Sequence, residues 1–508
     1  MKSHWLSVAV AAVMAVGVGT AQTLAPAGTP EAPTAAPPAA ASAPVPPETL
    51  PDIKPAEGAK LSPEGEKPPQ EQGKELLYLP PTSDTNRFPL AVSWANGLWF
   101  EAPNKQFRVH VGGNAQIDST WLIGPHSVFA LPNGNTNGVE NSSAIFLRRV
   151  RMRMEGDIFE LFDYAVEYDF ANANNENDGQ QPPSFGNITG APNPCNVWMQ
   201  VRDVPYLGNV RFGNQVKPIG MSNNTNQAQL PFMERPDNMD AFWGPFDGGF
   251  ALGISARNWL ESERGTWQYG IYGPSINVFG VTLNKAEYGG RATLLPLYED
   301  DGRQLIHVGF GTLDGELVQN QLRLRDRPIL RNGPGYANPV LVDTGEIPGG
   351  RQYTLSPEFA AVYNSWTLQA EWTGQYLTRA VVGGIPQGTV FYHGGYIELL
   401  YFLTGEHQEY EKKEGVFGRV VPRSNLAWKK GCGCTGCGAW QVGARFSYLD
   451  LNDKAVQGGQ IYDWTAGVNW FFNPNMKVQF NYIAEHRDQP GVTPGWINGF
   501  GIRGAYDF

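Results

Sequence analysis

The sequence is short of cysteine, of charge and of long apolar runs, and each shortage removes a class of protein. Four Cys in 508 residues cannot staple a disulfide scaffold. Charged side chains make up 17% of the chain, against about 25% in an average globular domain. No internal run of roughly eighteen apolar residues exists, so no helix is available to cross a bilayer. The net charge of −11 makes nucleic acid a poor partner. No G-x-S-x-G, H-E-x-x-H or Walker loop occurs, and the seven His are scattered. The chain therefore reads as a non-enzyme that needs no cofactor.

What is present points elsewhere. Sixty Gly and 12% aromatics, with few charges, fit a β-protein that is apolar outside and polar inside, as in a lipid-embedded barrel. The first 21 residues read as an export signal. Lys2 and His4 precede an apolar core from Trp5 to Val18, and Gly19-Thr20-Ala21 offers a small-residue cleavage site. Residues 22–90 are rich in Pro and Ala and have little to bury. They read as a disordered, semi-stiff periplasmic linker, with residues 91–508 as the barrel domain.

From residue 105 the pattern has period two. In FRVHVGGNAQIDSTW, Phe107, Val109, Val111, Ile117 and Trp121 share one face, while Arg108, His110, Gln116, Asp118 and Thr120 share the other. The same alternation recurs at 366–376, where Trp366, Leu368 and Trp372 oppose Thr367, Gln369 and Glu371. It recurs again at 477–487, where Phe480 and Tyr482 oppose Lys477, Gln479 and Glu485. A soluble sandwich alternates too, but strands of about ten residues suit a tilted bilayer crossing. Short connections such as Asn364-Ser365 and Asn473-Pro474-Asn475 alternate with long ones such as 313–349. We read about sixteen antiparallel strands, starting near 107, 145, 164, 196, 209, 249, 266, 290, 303, 351, 366, 391, 439, 460, 477 and 498. The last strand ends on Phe508, which reads as a C-terminal signal to the barrel-assembly machinery.

Several ordered stretches resemble the phosphate-selective porin O and P family. They are RRVRMRMEGDIFELFDYAVEYDFA at 148–171, LGNVRFGNQVKPIGMSNNTNQAQLPFMERP at 207–236, YFLTGE at 401–406, FGRVVP at 417–422, ARFSYLDLND at 444–453 and DWTAGVNWFFNPN at 463–475. The resemblance implies a trimeric sixteen-stranded outer-membrane porin whose loops fold into the lumen to form a constriction. It implies outer-membrane lipid and small anions such as phosphate as partners. The Pro-rich segment and the Cys cluster depart from the family pattern. So does the constriction segment 217–247, which has only Lys217 and Arg235 as bases against Glu234, Asp237, Asp240 and Asp247.

Period two places Arg149, Arg151, Arg153 and Glu155 on one face of their strand, opposite Val150, Met152 and Met154. Two roles stay open for this row. Guanidinium groups could steer and bind anions such as phosphate, with Arg211, Lys217 and Arg235 as further pore-lining bases. Alternatively Glu167 and Asp169 on the next strand, with Glu155, could pair with the row and brace the wall. Four more bases, Arg323, Arg325, Arg327 and Arg331, could sit in an inward loop but read first as a solvated rim. Cys432, Cys434 and Cys437 lie within six residues, and Cys195 stands apart; disulfides and a soft-metal site are both open readings. The leading reading is a passive porin for small hydrophilic solutes, anion-directed if the row conducts. A structural barrel tied to the cell wall through the Pro-rich segment is the alternative, with a barrel enzyme a weaker one.

Overall fold

The computed structural model describes residues 90–103, 105–130, 142–171, 192–243, 249–273, 285–317, 320–333, 338–429 and 433–508. The export signal at 1–21 and all but the last residue of the 22–90 linker lie outside them. Among the described residues, no helix is long and apolar enough to cross a membrane.

Sixteen strands make the wall: β1 Phe107–Ile123, β2 Ser143–Ile158, β3 Phe162–Asp169, β4 Asn193–Val204, β5 Gly208–Val216, β6 Phe250–Trp259, β7 Gly265–Tyr272, β8 Glu287–Glu299, β9 Gln304–Glu316, β10 Arg351–Tyr363, β11 Trp366–Val382, β12 Ile385–Phe402, β13 Ala439–Asp453, β14 Val456–Asn473, β15 Met476–Asp488 and β16 Gly495–Asp507. Each pairs antiparallel with its neighbour in sequence, and β16 pairs with β1 from Asn498↔Ile123 to Asp507↔Asn114. That pairing closes a barrel, and closure removes the open edges. The starts lie within four residues of those read from period two, except that β12 begins at Ile385 rather than near 391.

The burial pattern settles which face is inside. Ile145, Met199, Phe212, Ile254, Trp464 and Phe480 are exposed on the outer wall, whereas Gln116, Asp118, Ser255, Thr373, Gln479 and Arg503 are buried within. A sandwich would have the opposite polarity. Backbone groups satisfied strand to strand, with an apolar outside, are what a bilayer requires.

The wall is uneven. Strands β3, β5 and β7 have 8, 9 and 8 residues, whereas β11, β12 and β14 have 17, 18 and 18. Inside the tall side the inward residues turn apolar: Leu377, Tyr392, Leu449, Ile461, Ile483 and Ile497 form one core with Met233, Met239, Phe242, Leu330 and Leu341 from two inward-folded loops. The described parts of these loops, 217–243 with 249 and 320–333 with 338–350, pack into that half of the lumen. Burying the contact removes apolar area from water at about 25 cal/mol per Å². Arg327 and Arg331 are 1% and 4% exposed, so their stretch is folded inward rather than spread on a rim.

The connections also depart from a simple short-and-long alternation. Asn364-Ser365 closes a two-residue turn with Asn364 at φ 52°, at the end where β1 begins and β16 stops, the barrel's termini-bearing end. The opposite end has its own tight turn at Gly383-Gly384, with φ 57° and 79°. The termini-bearing end has a long connection, 403–438, between β12 and β13. A hairpin of Ala91–Trp94 and Leu98–Glu101 extends the sheet from the start of β1. There Phe508 exchanges backbone hydrogen bonds with Gly113 at 2.7 and 2.9 Å and stacks between Trp94 and Tyr506.

Candidate functional site: the constricted lumen

The constriction loop is pinned at Glu234. A bulge in β2 makes the pin: Gln116 pairs with Arg149 but Ile117 pairs with Leu147, leaving Arg148 as the extra residue. Both Arg148 and Arg149 are consequently buried, at 5% and 4% exposure. Arg148 Nε and Nη2 donate to the two Glu234 oxygens at 2.9 and 3.1 Å, and Arg149 Nη2 donates at 2.9 Å. Arg503 on β16 reaches Glu234 Oε1 at 2.6 Å and grips Asp118 with two bonds of 2.7 Å. Burial alone would raise the Glu234 pKa, but Arg148, Arg149 and Arg503 hold the carboxyl well below the usual range.

Wall side chains receive the rest of the loop. Glu371 accepts the N–H groups of Met221 and Ser222, each at 2.8 Å, at the start of the helical turn Met221–Asn224. Lys477 Nζ donates to the Leu230 carbonyl at 2.9 Å, Asn469 to that of Pro231 at 2.7 Å, and Arg445 to that of Glu234 at 3.0 Å. Met233 N donates to Asn481 Oδ1 at 2.9 Å. Helix α1, Asp237–Trp243, then lies on the tall wall, where Ser447 Oγ donates to Asp237 Oδ2 at 2.5 Å.

A cavity of about 1080 Å³ remains between these loops and the low wall. Eleven basic and nine acidic side chains line it, so its field is set by which bases are cancelled locally rather than by the total. Arg151 Nε donates to Asp169 Oδ2 at 2.9 Å, and Glu167 lies 3.9 Å away. Arg153 pairs with Glu155, which His110 also meets at 3.1 Å. Arg149 is spent on Glu234. Lys217 is withdrawn from the lumen: it is 5% exposed, paired with Glu287 at 2.5 Å and absent from the cavity lining. Arg211 and Arg235 line the cavity and form no ion pair among the described residues. Arg211 stacks on Trp198 with its guanidinium 3.7 Å from the ring centroid, and its Nε donates to Gln200 at 3.1 Å. Arg235 donates to the carbonyls of Ser222, Asn223 and Thr225.

A third inward element enters from the termini-bearing end. Within 403–438, Tyr410 OH meets His307 Nδ1 at 2.6 Å, Arg291 donates to the Gly415 carbonyl at 2.7 Å and Arg419 pairs with Asp507. Glu411 and Glu414 thereby reach the cavity lining. Nothing in period two announces this, because the segment is not a strand; its length was the one available signal. Arg148 was hidden for a different reason, since parity puts it on the outer face until the bulge is known.

Cys195 is buried on β4 with Sγ 3.8 Å from the Asn193 carbonyl. Cys437 is exposed, and its carbonyl accepts from Trp470 Nε1 at 2.8 Å. Cys432 lies outside the described residues, as does the side chain of Cys434. No group of three metal-ligating side chains occurs among the described residues.

A family model for the phosphate-selective porin O and P matches residues 123–508. The chain belongs to that family. It is an outer-membrane porin. Its relatives include an uncharacterized protein of Caulobacter vibrioides, 27% identical over 432 residues, covering 82% of this chain and 75% of that one. Porin O of Pseudomonas aeruginosa is 22% identical over 468 residues, covering 83% of this chain and 92% of its own. Among solved structures, the outer membrane channel DcaP of Acinetobacter baumannii aligns with a TM-score of 0.44 at 10% identity, over 80% of this chain and 99% of its own. In a porin the lumen is the site, and here three inward segments set its section.

Proposed function

We propose that this porin passes small hydrophilic solutes by diffusion and favours anions, phosphate among them. The observation that carries the reading is that Arg211 and Arg235, two lumen guanidiniums, form no ion pair among the described residues. A guanidinium stays charged at working pH and presents paired donors to an oxyanion. The row Arg149, Arg151 and Arg153 serves mainly as bracing, because Glu234, Asp169 and Glu155 occupy it. Residues 1–21 act as a removed export signal and 22–90 as a periplasmic linker. The porin assembles as a homotrimer in outer-membrane lipid, with Phe508 engaging the assembly machinery before it stacks beneath the barrel.

The test is the reversal potential of purified protein in a planar bilayer under a salt gradient, followed by added phosphate. An anion-directed potential that shrinks on replacing Arg211 and Arg235 by Ser supports the reading. A cation-directed potential in the unaltered protein would refute the anion preference and leave an unselective porin.

A further inference from the structure

The segment 403–438 delivers a carboxylate into the lumen that wall bracing does not require. Glu414 follows Lys412 and Lys413, which pair with Glu263 at 2.8 and 3.3 Å. It precedes Gly415, whose φ of 68° lies in the left-handed region open to glycine. Arg291 holds both residues by the backbone, donating to the Glu414 carbonyl at 3.3 Å and to the Gly415 carbonyl at 2.7 Å. The chain is therefore fixed, while the Glu414 side chain projects into the lumen and stays 49% exposed. There it contacts Arg257 of β6.

Arg211 of β5 and Arg153 of β2 line the same cavity. Arg257, Arg211 and Arg153 together hold the Glu414 carboxyl below its ordinary range, although burial acts the other way. The stack of Arg211 on Trp198 fixes the plane of its guanidinium and leaves edge donors facing the cavity. Three bases from three strands facing one cavity can make an oxyanion site, and the carboxylate that contacts Arg257 there belongs to the protein itself.

We propose that Arg153, Arg211 and Arg257 form a subsite for a small oxyanion or carboxylate, and that Glu414 occupies it as a tethered stand-in for the permeating anion. An entering anion displaces Glu414, passes, and is displaced by it in turn. A tethered competitor acts at a high effective concentration, which keeps the site weak enough to release what it binds, as conduction requires. This rests on the anion preference drawn above and names the residues that tune it.

The experiment compares the unaltered porin with Glu414→Gln and Glu414→Asp in planar bilayers. It reads reversal potential under a salt gradient and block of chloride current by inorganic phosphate. Heat-modifiable mobility certifies the folded barrel for each variant. Glu414→Gln is expected to move the potential further toward anions and to lower the blocking phosphate concentration about tenfold, equivalent to about 1.4 kcal/mol of lost competition. Glu414→Asp should stay near the unaltered protein, and adding Arg211→Ser to Glu414→Gln should cancel the gain. A folded Glu414→Gln pore with unchanged potential and unchanged block overturns the subsite while leaving an observed anion preference intact. A cation-directed unaltered pore that Glu414→Gln swings toward anions would instead sink the preference and keep the subsite.

Discussion

Replacing Glu234 by Gln should unpin the constriction loop while leaving the barrel closed. The substitution keeps the side chain's shape and removes its charge. In the intact protein that charge is shared by Arg148, Arg149 and Arg503, and all four side chains are at most 6% exposed. Breaking a buried pair from one side typically costs about 3–5 kcal/mol, because the opposite charge is left uncompensated. Here Arg503 keeps Asp118 and Arg149 keeps a 2.7 Å bond to Gln116, so the loss should fall at the lower end. About 3 kcal/mol is roughly a hundredfold shift in the docked-to-released ratio of the loop. Glu371, Lys477 and Asn469 still hold other points, so release would be partial and transient. Single-channel recording should show brief excursions to higher conductance that the unaltered pore lacks, with unchanged heat-modifiable mobility. Arg148→Gln in the same background should quieten them by removing one stranded charge. A folded Glu234→Gln pore with the conductance and noise of the unaltered protein would refute the pin. The effect is also pH-defined. A carboxyl depressed in the folded state contributes stability above its unfolded value of about 4.3 and loses it only as pH falls through the lower folded value. Docking through Glu234 should thus be indifferent to pH between about 5 and 8.

Asp237 should behave in the opposite sense. Burial and the neighbouring Asp463 carboxyl push it up to about 8, so its contribution is fullest below the unfolded value of about 3.9 and is lost as pH rises through about 8. Channel noise should grow between about pH 4 and 8, and Asp237→Asn, which copies the protonated form, should abolish that growth; equal pH profiles would refute the reading. The double variant Arg151→Gln with Asp169→Asn should leave the reversal potential nearly unchanged, because the two charges already cancel each other, but should lower the temperature at which the barrel unfolds. A large loss of anion preference in that variant would return the arginine row to a conducting role.

The alternation of apolar and polar residues was enough to place sixteen strands, to join them in sequence order and to set which residues share a face. This works because a strand's side-chain period is fixed by covalent geometry. The ordered stretches from 148 to the terminal strand carried the family as well. Other features depended on what the chain meets after folding. Local sequence does not show that a bulge turns Arg148 inward to join Arg149, since the bulge depends on the register against β1. Nor does it show that Lys217 is neutralised by Glu287, 70 positions away. The row Arg149–Arg153 looked the same for bracing and for conduction until Glu234 and Asp169 were placed against it. The inward fold of 403–438 has no periodic signature, and its position is held by His307, Arg291 and Asp507 on distant strands. Charge type and strand phase are properties of the chain. Whether a charge is free or cancelled is a distance of a few ångströms between residues far apart in sequence, and only the closed barrel sets it.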